Sequence, residues 1–456
     1  MTPYPTYKNS GVPWLGEVPE HWVMKPGLAI FREKQIKNIG LIENRVLSLS
    51  YGKIIIKPEE KLRGLVPESF ETYQIVEPGD IIIRSTDMQN DHTSLRTGLV
   101  NNRGIITSAY ICLNSLCQEH SKFNHWQLHG LDLMKVFYGL GSGLRQNLSW
   151  KDFKRLQLPV PTPEEQHHIA RYLDWQTSRI NTFIKAKKKL IALLKEQKQV
   201  IINEAVTKGI NPDVNMKDSG VEWLGEIPEH WEVSKNKGVY SERRESGSDE
   251  LPILSVSIHH GVSTEEQNEK ENLRVKIRIQ DRKKYLRVYP NDIAFNMMRA
   301  WQGGIGVVRV HGMVSPAYIV AKPKKEINSR FVEFLFRTPQ YIQEMNRNSR
   351  GITDFRKRLY WDQYKNISIV IPPIEEQQSI VDFIEQETTL IDQTIARTER
   401  EIELIREYRT RLVSDVVTGK IDVRSVTIPD FDPVDETADE PDDTLVDDPM
   451  DEEEAP

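Results

Sequence analysis

Cysteine is almost missing from this chain of 456 residues, which holds only Cys112 and Cys117. Two thiols cannot staple a chain of this length, and no companion Cys/His cluster stands at zinc spacing. Both are expected to be small buried residues of a reducing compartment. No run approaches 18 apolar residues, so no segment reads as a membrane-spanning helix. The first 25 residues carry Pro3, Pro5, Pro13 and Pro19 where a secretion signal would have an apolar core. A cytoplasmic chain is expected. Motifs for chemistry are lacking too. No glycine-rich loop ends in Gly-Lys-Ser/Thr, and no His-Glu-x-x-His occurs. The clusters Gly139-Leu140-Gly141-Ser142-Gly143 and Gly303-Gly304-Ile305-Gly306 lack the strand–helix setting of a dinucleotide site. His167 and His168 are adjacent on a helix and face different ways, a poor metal pair. The Asn/Asp-Pro-Pro-aromatic and Asp…Glu-x-Lys patterns of common transfer and nuclease cores are absent as well. The expectation is a non-enzyme with no metal and no cofactor of its own.

Charge is plentiful but partitioned. The net charge is −6, yet residues 430–456 hold 14 acids and no Lys or Arg, which leaves +8 on residues 1–429. The tail is rich in Asp, Glu and Pro and too poor in apolar groups to offset its ordering entropy, so it is expected to be disordered and solubilising. A sharper role would be competition with nucleic acid for the basic body.

The chain also repeats itself. Residues 7–22, YKNSGVPWLGEVPEHW, and 216–231, MKDSGVEWLGEIPEHW, agree at 12 of 16 positions. Residues 161–184 match 372–395, and AVTKGI at 205–210 matches VVTGKI at 416–421. Two long matches at nearly one offset mean internal duplication. Between them lie stretches of little identity, about 23–150 and 232–360, that still share landmarks. Pro78-Gly79-Asp80 parallels Pro290-Asn291-Asp292. Gly104 and Ala109-Tyr110 parallel Gly312 and Ala317-Tyr318. Arg145, Leu148, Trp150, Phe153 and Leu156 parallel Arg356, Leu359, Trp361, Tyr364 and Ile367. Trp14 and Trp223 in the repeated boxes are expected to be buried anchors, with a partner-protein surface as the alternative.

After Pro163, acids at Glu164 and Glu165 suit a helix start, and no proline follows until Pro212. Ile169, Leu173, Ile180, Phe183, Ile191, Leu194, Ile201 and Ala205 make a seam at spacings of three and four. The second copy supplies Ile380, Ile384, Ile391, Ile402, Ile405, Leu412 and Val416. The spacing predicts two coiled-coil helices, each about 44 residues or roughly 66 Å long. Antiparallel pairing would hold two domains apart, and the box at 7–22 should dock where the second helix ends. Pairing between separate chains is the alternative. Lys185, Lys187, Lys188 and Lys189 read as a solvated helix face.

The two variable stretches are predicted to be α+β. Strands are expected at 45–50, 80–85 and 105–113, then at 253–258, 292–298, 305–310 and 317–321. Helices are expected at about 124–138 and 329–346. Their loops carry the residue types that read base edges, Arg or Lys for guanine and Asn or Gln for adenine. In the first domain the DNA-binding candidates are Arg84, Ser85, Thr86, Gln89, Asn90, Arg96, Arg145, Gln146 and Asn147. In the second they are Asn296, Arg299, Gln302, Arg350, Thr353, Arg356, Lys357 and Arg358. A basic run from Arg274 to Arg287 is divided evenly between phosphate contact and plain solvation.

The doubled Ser-Gly-Val-x-Trp-Leu-Gly-Glu-x-Pro-Glu-His-Trp boxes, the Glu-Glu-Gln helix starts at 161–166 and 372–377 and the Val-Thr helix ends carry a resemblance over residues 7–421. The chain resembles the DNA-specificity subunits of type I restriction-modification systems. That resemblance implies an α+β fold of two globular target-recognition domains held apart by two long antiparallel coiled-coil helices, with a pseudo-two-fold internal repeat. The expected division is 1–158 and 213–369 for the recognition domains, 159–212 and 370–421 for the spacer helices, and 422–456 for the acidic tail. Each domain would read half of a bipartite, asymmetric site on double-stranded DNA. Two modification subunits would bring S-adenosylmethionine and adenine methylation, and two restriction subunits would bring ATP, Mg and cleavage. A coiled-coil protein-binding adaptor and a self-sufficient enzyme are the competing readings.

Overall fold

The computed structural model describes residues 2–57, 69–86, 88, 95–140, 147–258, 261–264, 282–351 and 357–431. Two compact units divide the chain, the first holding Met1–Lys189 with Thr398–Asp447, the second Leu190–Arg397. The division falls within both long helices, Pro163–Lys208 and Ile374–Val417. Each unit therefore contains one variable domain, the start of the helix that leaves it and the end of the other helix.

In the first unit a four-stranded antiparallel sheet runs in the order Phe31–Glu33, Ile111–Ser115, Ile81–Ile83, Thr97–Leu99. In the second unit the order is Tyr240–Glu242, Tyr318–Pro323, Ile293–Asn296, Ile305–Val307. These are the same topology built from almost unrelated sequence. The paired satellites correspond as well: Gln74–Val76 with Gly104–Ile106, and Leu286–Val288 with Gly312–Val314. The hairpin Leu47–Ser50 with Lys53–Ile56 matches Leu254–Ser257 with Gly261–Thr264.

The shared turn before the central strand explains part of this agreement. Gly79 and Asn291 both take left-handed backbone, at φ 92° and 72°, as glycine and asparagine most readily do. The next residue, Asp80 or Asp292, is buried and accepts from the backbone N–H of Glu77 at 2.8 Å or of Tyr289 at 2.9 Å. Each aspartate meets one cation, Lys34 at 2.6 Å or Arg243 at 2.8 Å. Burial works against the charge of Lys34, but hydrogen bonds to Asp80 and Glu77 outweigh it and raise its pKa.

One core in the first unit gathers Phe31, Ile81, Ile83, Leu113, Leu128, Phe137 and Phe153. The helix Ser121–Leu133 lies against the end of the second long helix, so closely that a Cβ on Gly130 would sit 2.5 Å from Val417. In the second unit Phe295, Phe331, Tyr341 and Tyr364 share a core with Ala205, Val206, Ile380 and Ile384 from the two long helices. The single helix expected at 329–346 is two, Ser329–Phe336 and Pro339–Asn348. Pro339 cannot continue the first, and Thr338 caps the second through its side chain.

The long helices pair antiparallel. In the first unit Lys187 meets Glu401 at 2.7 Å while Arg409 donates to Asn181 at 3.0 Å, so one number falls as the other rises. In the second unit Lys198 meets Asp392 at 2.6 Å. Most of the expected seam is buried, but Phe183 is 42% exposed and Ile184 takes its place at 0%. The polar residues Thr177, Ser178 and Asn181 shift that contact face by one residue.

The N-terminal box docks as expected, at the end of the second helix. Thr2 bridges to Asp422, and the hydroxyl of Tyr7 donates to the carbonyl of Gly419 at 3.2 Å. Fully buried tryptophans are Trp22 and Trp231; Trp14 and Trp223 are only partly covered. Of the two cysteines Cys112 is buried and Cys117, on a turn, is exposed. Among the described residues no helix is long and apolar enough to cross a membrane.

Candidate nucleic-acid interface

Both central strands end in a loop, and both loops are tied to the turn before a short helix. In the first domain the N–H of Leu148 donates to the carbonyl of Ser85 at 2.9 Å. In the second the N–H of Leu359 donates to the carbonyl of Met297 at 2.8 Å. One hydrogen bond, repeated in both copies, thus brings separate candidate segments to the same end of each sheet.

At the first of these ends Arg84 and Thr86 are half-buried and Asn147 is exposed. Two expected readers are not placed to read. Ser85 is buried and its hydroxyl donates to the carbonyl of Ala109 at 2.9 Å. Arg96 is 0% exposed. Its guanidinium donates to the carbonyls of Thr86 at 2.8 Å and Arg84 at 3.3 Å, and its Nε to the hydroxyl of Tyr138 at 3.2 Å. Its own N–H donates to Asp132 at 2.5 Å. Arg96 shapes the loop rather than facing solvent, because a buried guanidinium must place its donors on nearby acceptors, here the loop carbonyls and Tyr138.

At the second end the N–H of Asn296 donates to the carbonyl of Gly304 at 3.0 Å, matching the bond from Arg84 to the carbonyl of Arg96 at 2.8 Å. Asn296 is also corrected from reader to scaffold. It is buried, and its Oδ1 accepts from the N–H of Met298 at 3.0 Å. Beyond it Arg299 is half-buried and Gln302 exposed on the turn Ala300–Gln302. Gly303 closes that turn at φ 93°. Arg350 and Arg358 exchange backbone hydrogen bonds of 2.9 and 2.8 Å, and both side chains are exposed. Lys357 reaches Asn346 at 2.9 Å and lies 5.8 Å from the ring of Trp301. Arg299, Gln302, Arg350, Lys357 and Arg358 therefore share one cationic neighbourhood.

Trp301 was not among the candidates. Its indole N–H donates to the carbonyl of Met298 at 2.8 Å, which fixes a partly exposed ring inside this cluster. The signal was an aromatic residue in a glycine-closed turn, Ala300-Trp301-Gln302-Gly303-Gly304. Gln89, Asn90, Arg145, Gln146, Thr353 and Arg356 lie outside the described residues, as do Arg274, Lys276 and Arg278 of the basic run and the acidic tail after Phe431. Among the described residues no three His, Cys, Asp or Glu side chains converge as metal ligands would.

Two copies of one scaffold that differ in the side chains at the same sheet end define a recognition protein with two readers. A family model, the type I restriction modification DNA specificity domain, matches residues 35–194 and 221–404. The chain belongs to this family, and its role is DNA sequence recognition. It is similar to two proteins of Methanocaldococcus jannaschii. One is the Type I restriction enzyme MjaVIII specificity subunit, 27% identical over 311 residues, which are 63% of this chain and 67% of that protein. The other is the Putative type I restriction enzyme MjaX specificity subunit, 24% identical over 441 residues, 90% of this chain and 96% of that protein. A solved chain from work on complex assembly and conformational transition of the type I R-M system shares the fold at a TM-score of 0.62. It is 11% identical, with 89% of this chain and 99% of that one covered. The adaptor reading gives way to DNA specificity.

Proposed function

We propose that each variable domain reads one half of a bipartite, asymmetric site on double-stranded DNA and directs partner subunits to it. The observation that carries this reading is the pairing of identical strand order with different exposed or half-buried side chains at one sheet end: Arg84, Thr86 and Asn147 in one copy, Arg299, Gln302, Arg350, Lys357 and Arg358 in the other. A shared scaffold with exchanged donors and acceptors suits two different base sets.

The chain itself performs no catalysis in this proposal. Two modification subunits bind the duplicated helix frame symmetrically and carry S-adenosylmethionine and adenine methylation; two restriction subunits carry ATP, Mg and cleavage. The complex works in the cytoplasm. Methylation mapping of genomic DNA in cells with and without the chain tests the proposal. A bipartite adenine-methylated sequence that vanishes with the chain is expected, and unchanged methylation would overturn it. Replacing residues 23–150 should alter one half-site only. Inserting four residues in each long helix adds about 6 Å, so the unread spacer should lengthen by nearly two base pairs.

A further inference from the structure

We infer that residues 36–42 of the first domain form an apolar wedge that meets double-stranded DNA beside the bases this domain reads. The inference rests on the DNA-reading role proposed above. Ile36, Ile39, Leu41 and Ile42 are 51%, 69%, 57% and 72% exposed. Single exposed aliphatic residues need no explanation, but four in one short loop do.

The loop is held, not slack. Asn38 is fully buried at its base, where its N–H donates to the carbonyl of Tyr73 at 2.9 Å and its amide to that of Glu43 at 2.8 Å. Its Oδ1 accepts from the N–H of Glu43 at 3.0 Å, and Glu71 accepts from the N–H of Gly40 at 2.8 Å. Gly40 and Leu41 are left-handed, at φ 77° and 53°. Leucine rarely adopts that region, so the surrounding bonds hold the chain in a shape that displays its side chains.

A chain of contacts joins the loop to the reading end of the sheet. The amide of Asn38 also reaches the carbonyl of Phe70 at 3.4 Å. Nearby, the hydroxyl of Ser108 donates to the carbonyl of Thr72, and that of Ser85 to the carbonyl of Ala109. Ser85 directly follows Arg84 at the end of the central strand.

The corresponding stretch of the second domain, residues 245–251, carries one large apolar residue, Leu251, whose N–H donates to the carbonyl of Ser248 as that of Leu41 does to Asn38, and none in place of the three isoleucines. A protein that grips both copies of a duplicated frame would meet similar chemistry twice, whereas the exposed isoleucines Ile36, Ile39 and Ile42 are presented once. DNA sequence is what the two domains meet differently. The four side chains expose on the order of 450 Å², about half of the roughly 800 Å² per partner that a stable protein interface takes. Branched aliphatic groups carry no donors for base edges; they enter between base pairs or cover thymine methyls, as apolar wedges do.

The test uses the full chain assembled with its modification partner, on duplexes carrying 2-aminopurine at each step flanking the first half-site. The wild-type complex should raise emission at one flanking step. Ile39→Ser/Ile42→Ser should lose that signal and bind roughly tenfold more weakly, as expected for lost apolar contact, with an unchanged salt slope because no phosphate contact is removed. These exposed positions leave the fold intact, which thermal melting checks. Wild-type emission and affinity in the variant would overturn the wedge. So would intact DNA response with weakened subunit assembly, which would make the loop a protein-docking surface. A wild-type complex that binds no DNA would instead sink the reading role itself, before any substitution is made.

Discussion

The guanidinium of Arg96 donates to the carbonyl of Thr86 at 2.8 Å, while the carbonyl of Arg96 accepts from the N–H of Arg84 at 2.8 Å. One buried residue thus holds a reading loop from its side chain and its backbone. In the second domain Gly304 takes the backbone half of this role, and a Cβ there would approach the Arg299 carbonyl to 3.0 Å. Arg96→Met keeps the bulk and removes the donors to the Thr86 and Arg84 carbonyls, a loss of about 1–3 kcal/mol. Methylation should spread to near-cognate first half-sites while the second half-site stays strict. Sequencing of methylated sites checks this, and Arg96→Lys should restore part of the discrimination.

The boxes hold the helix starts through a carboxylate, with unequal burial. Glu165 accepts from the hydroxyl of Tyr4 at 2.5 Å and pairs with Nε2 of His21 at 2.9 Å; its side chain is 3% exposed. Glu376 pairs with Nε2 of His230 at 2.6 Å and accepts from the indole of Trp231 at 3.1 Å; it is 23% exposed. Burial, and then the bond to Glu165, pushes the phenol of Tyr4 well up. Glu165→Ala should cost about 2–3 kcal/mol and Glu376→Ala only about 1 kcal/mol, since hydrogen bonds to the more deeply buried carboxylate are less screened by water. Urea unfolding of the two variants checks the order.

His125 and His129 should make the first unit less stable in acid. Their rings stack at 5.8 Å, and Nδ1 of His129 lies 3.1 Å from the hydroxyl of Thr97. Burial lowers the pKa of His125 to about 4. Burial, then His125 and the charge of Arg409, lower that of His129 to about 3. Both are neutral when folded and take protons near pH 6.5 when unfolded. Stability is therefore full above about pH 6.5 and falls as pH drops towards 4 and then 3, by up to about 1.4 kcal/mol per pH unit for each ring. Unfolding midpoints at pH 7 and pH 5 should differ less in His125→Gln/His129→Gln than in the wild type.

Much of this architecture was legible because repetition exposes it. The paired boxes marked the helix starts, and Pro78-Gly79-Asp80 beside Pro290-Asn291-Asp292 marked the same turn in otherwise different domains. What could not be read was burial of polar groups. Arg96 and Asn296 have the composition of base readers, and only packing shows that their donors and acceptors are already taken by the backbone. Phe183 looked like a seam residue by spacing, but Asn181 and its partner Arg409 occupy that contact face. The apolar residues 36–42 carried no signal at all, since short apolar runs in sequence suggest a core strand rather than a displayed loop.

Arg358 separates phosphate contact from base reading. Its side chain is exposed while its backbone is pinned to Arg350 by bonds of 2.9 and 2.8 Å, so removing the guanidinium leaves the turn in place. If the cation lies on a phosphate, Arg358→Ala weakens binding to all sequences alike and lowers the salt slope by about 0.9, the release of one counterion. If it pairs with a base edge, the variant loses about 1–3 kcal/mol of discrimination at one position of the second half-site. The exposed ladder position, beside Lys357 and the ring of Trp301, favours the phosphate role. Affinity measured between 50 and 200 mM salt on cognate and scrambled duplexes should therefore show a shallower slope with the preference between the two unchanged. A steeper loss on the cognate duplex alone would reassign Arg358 as a reader.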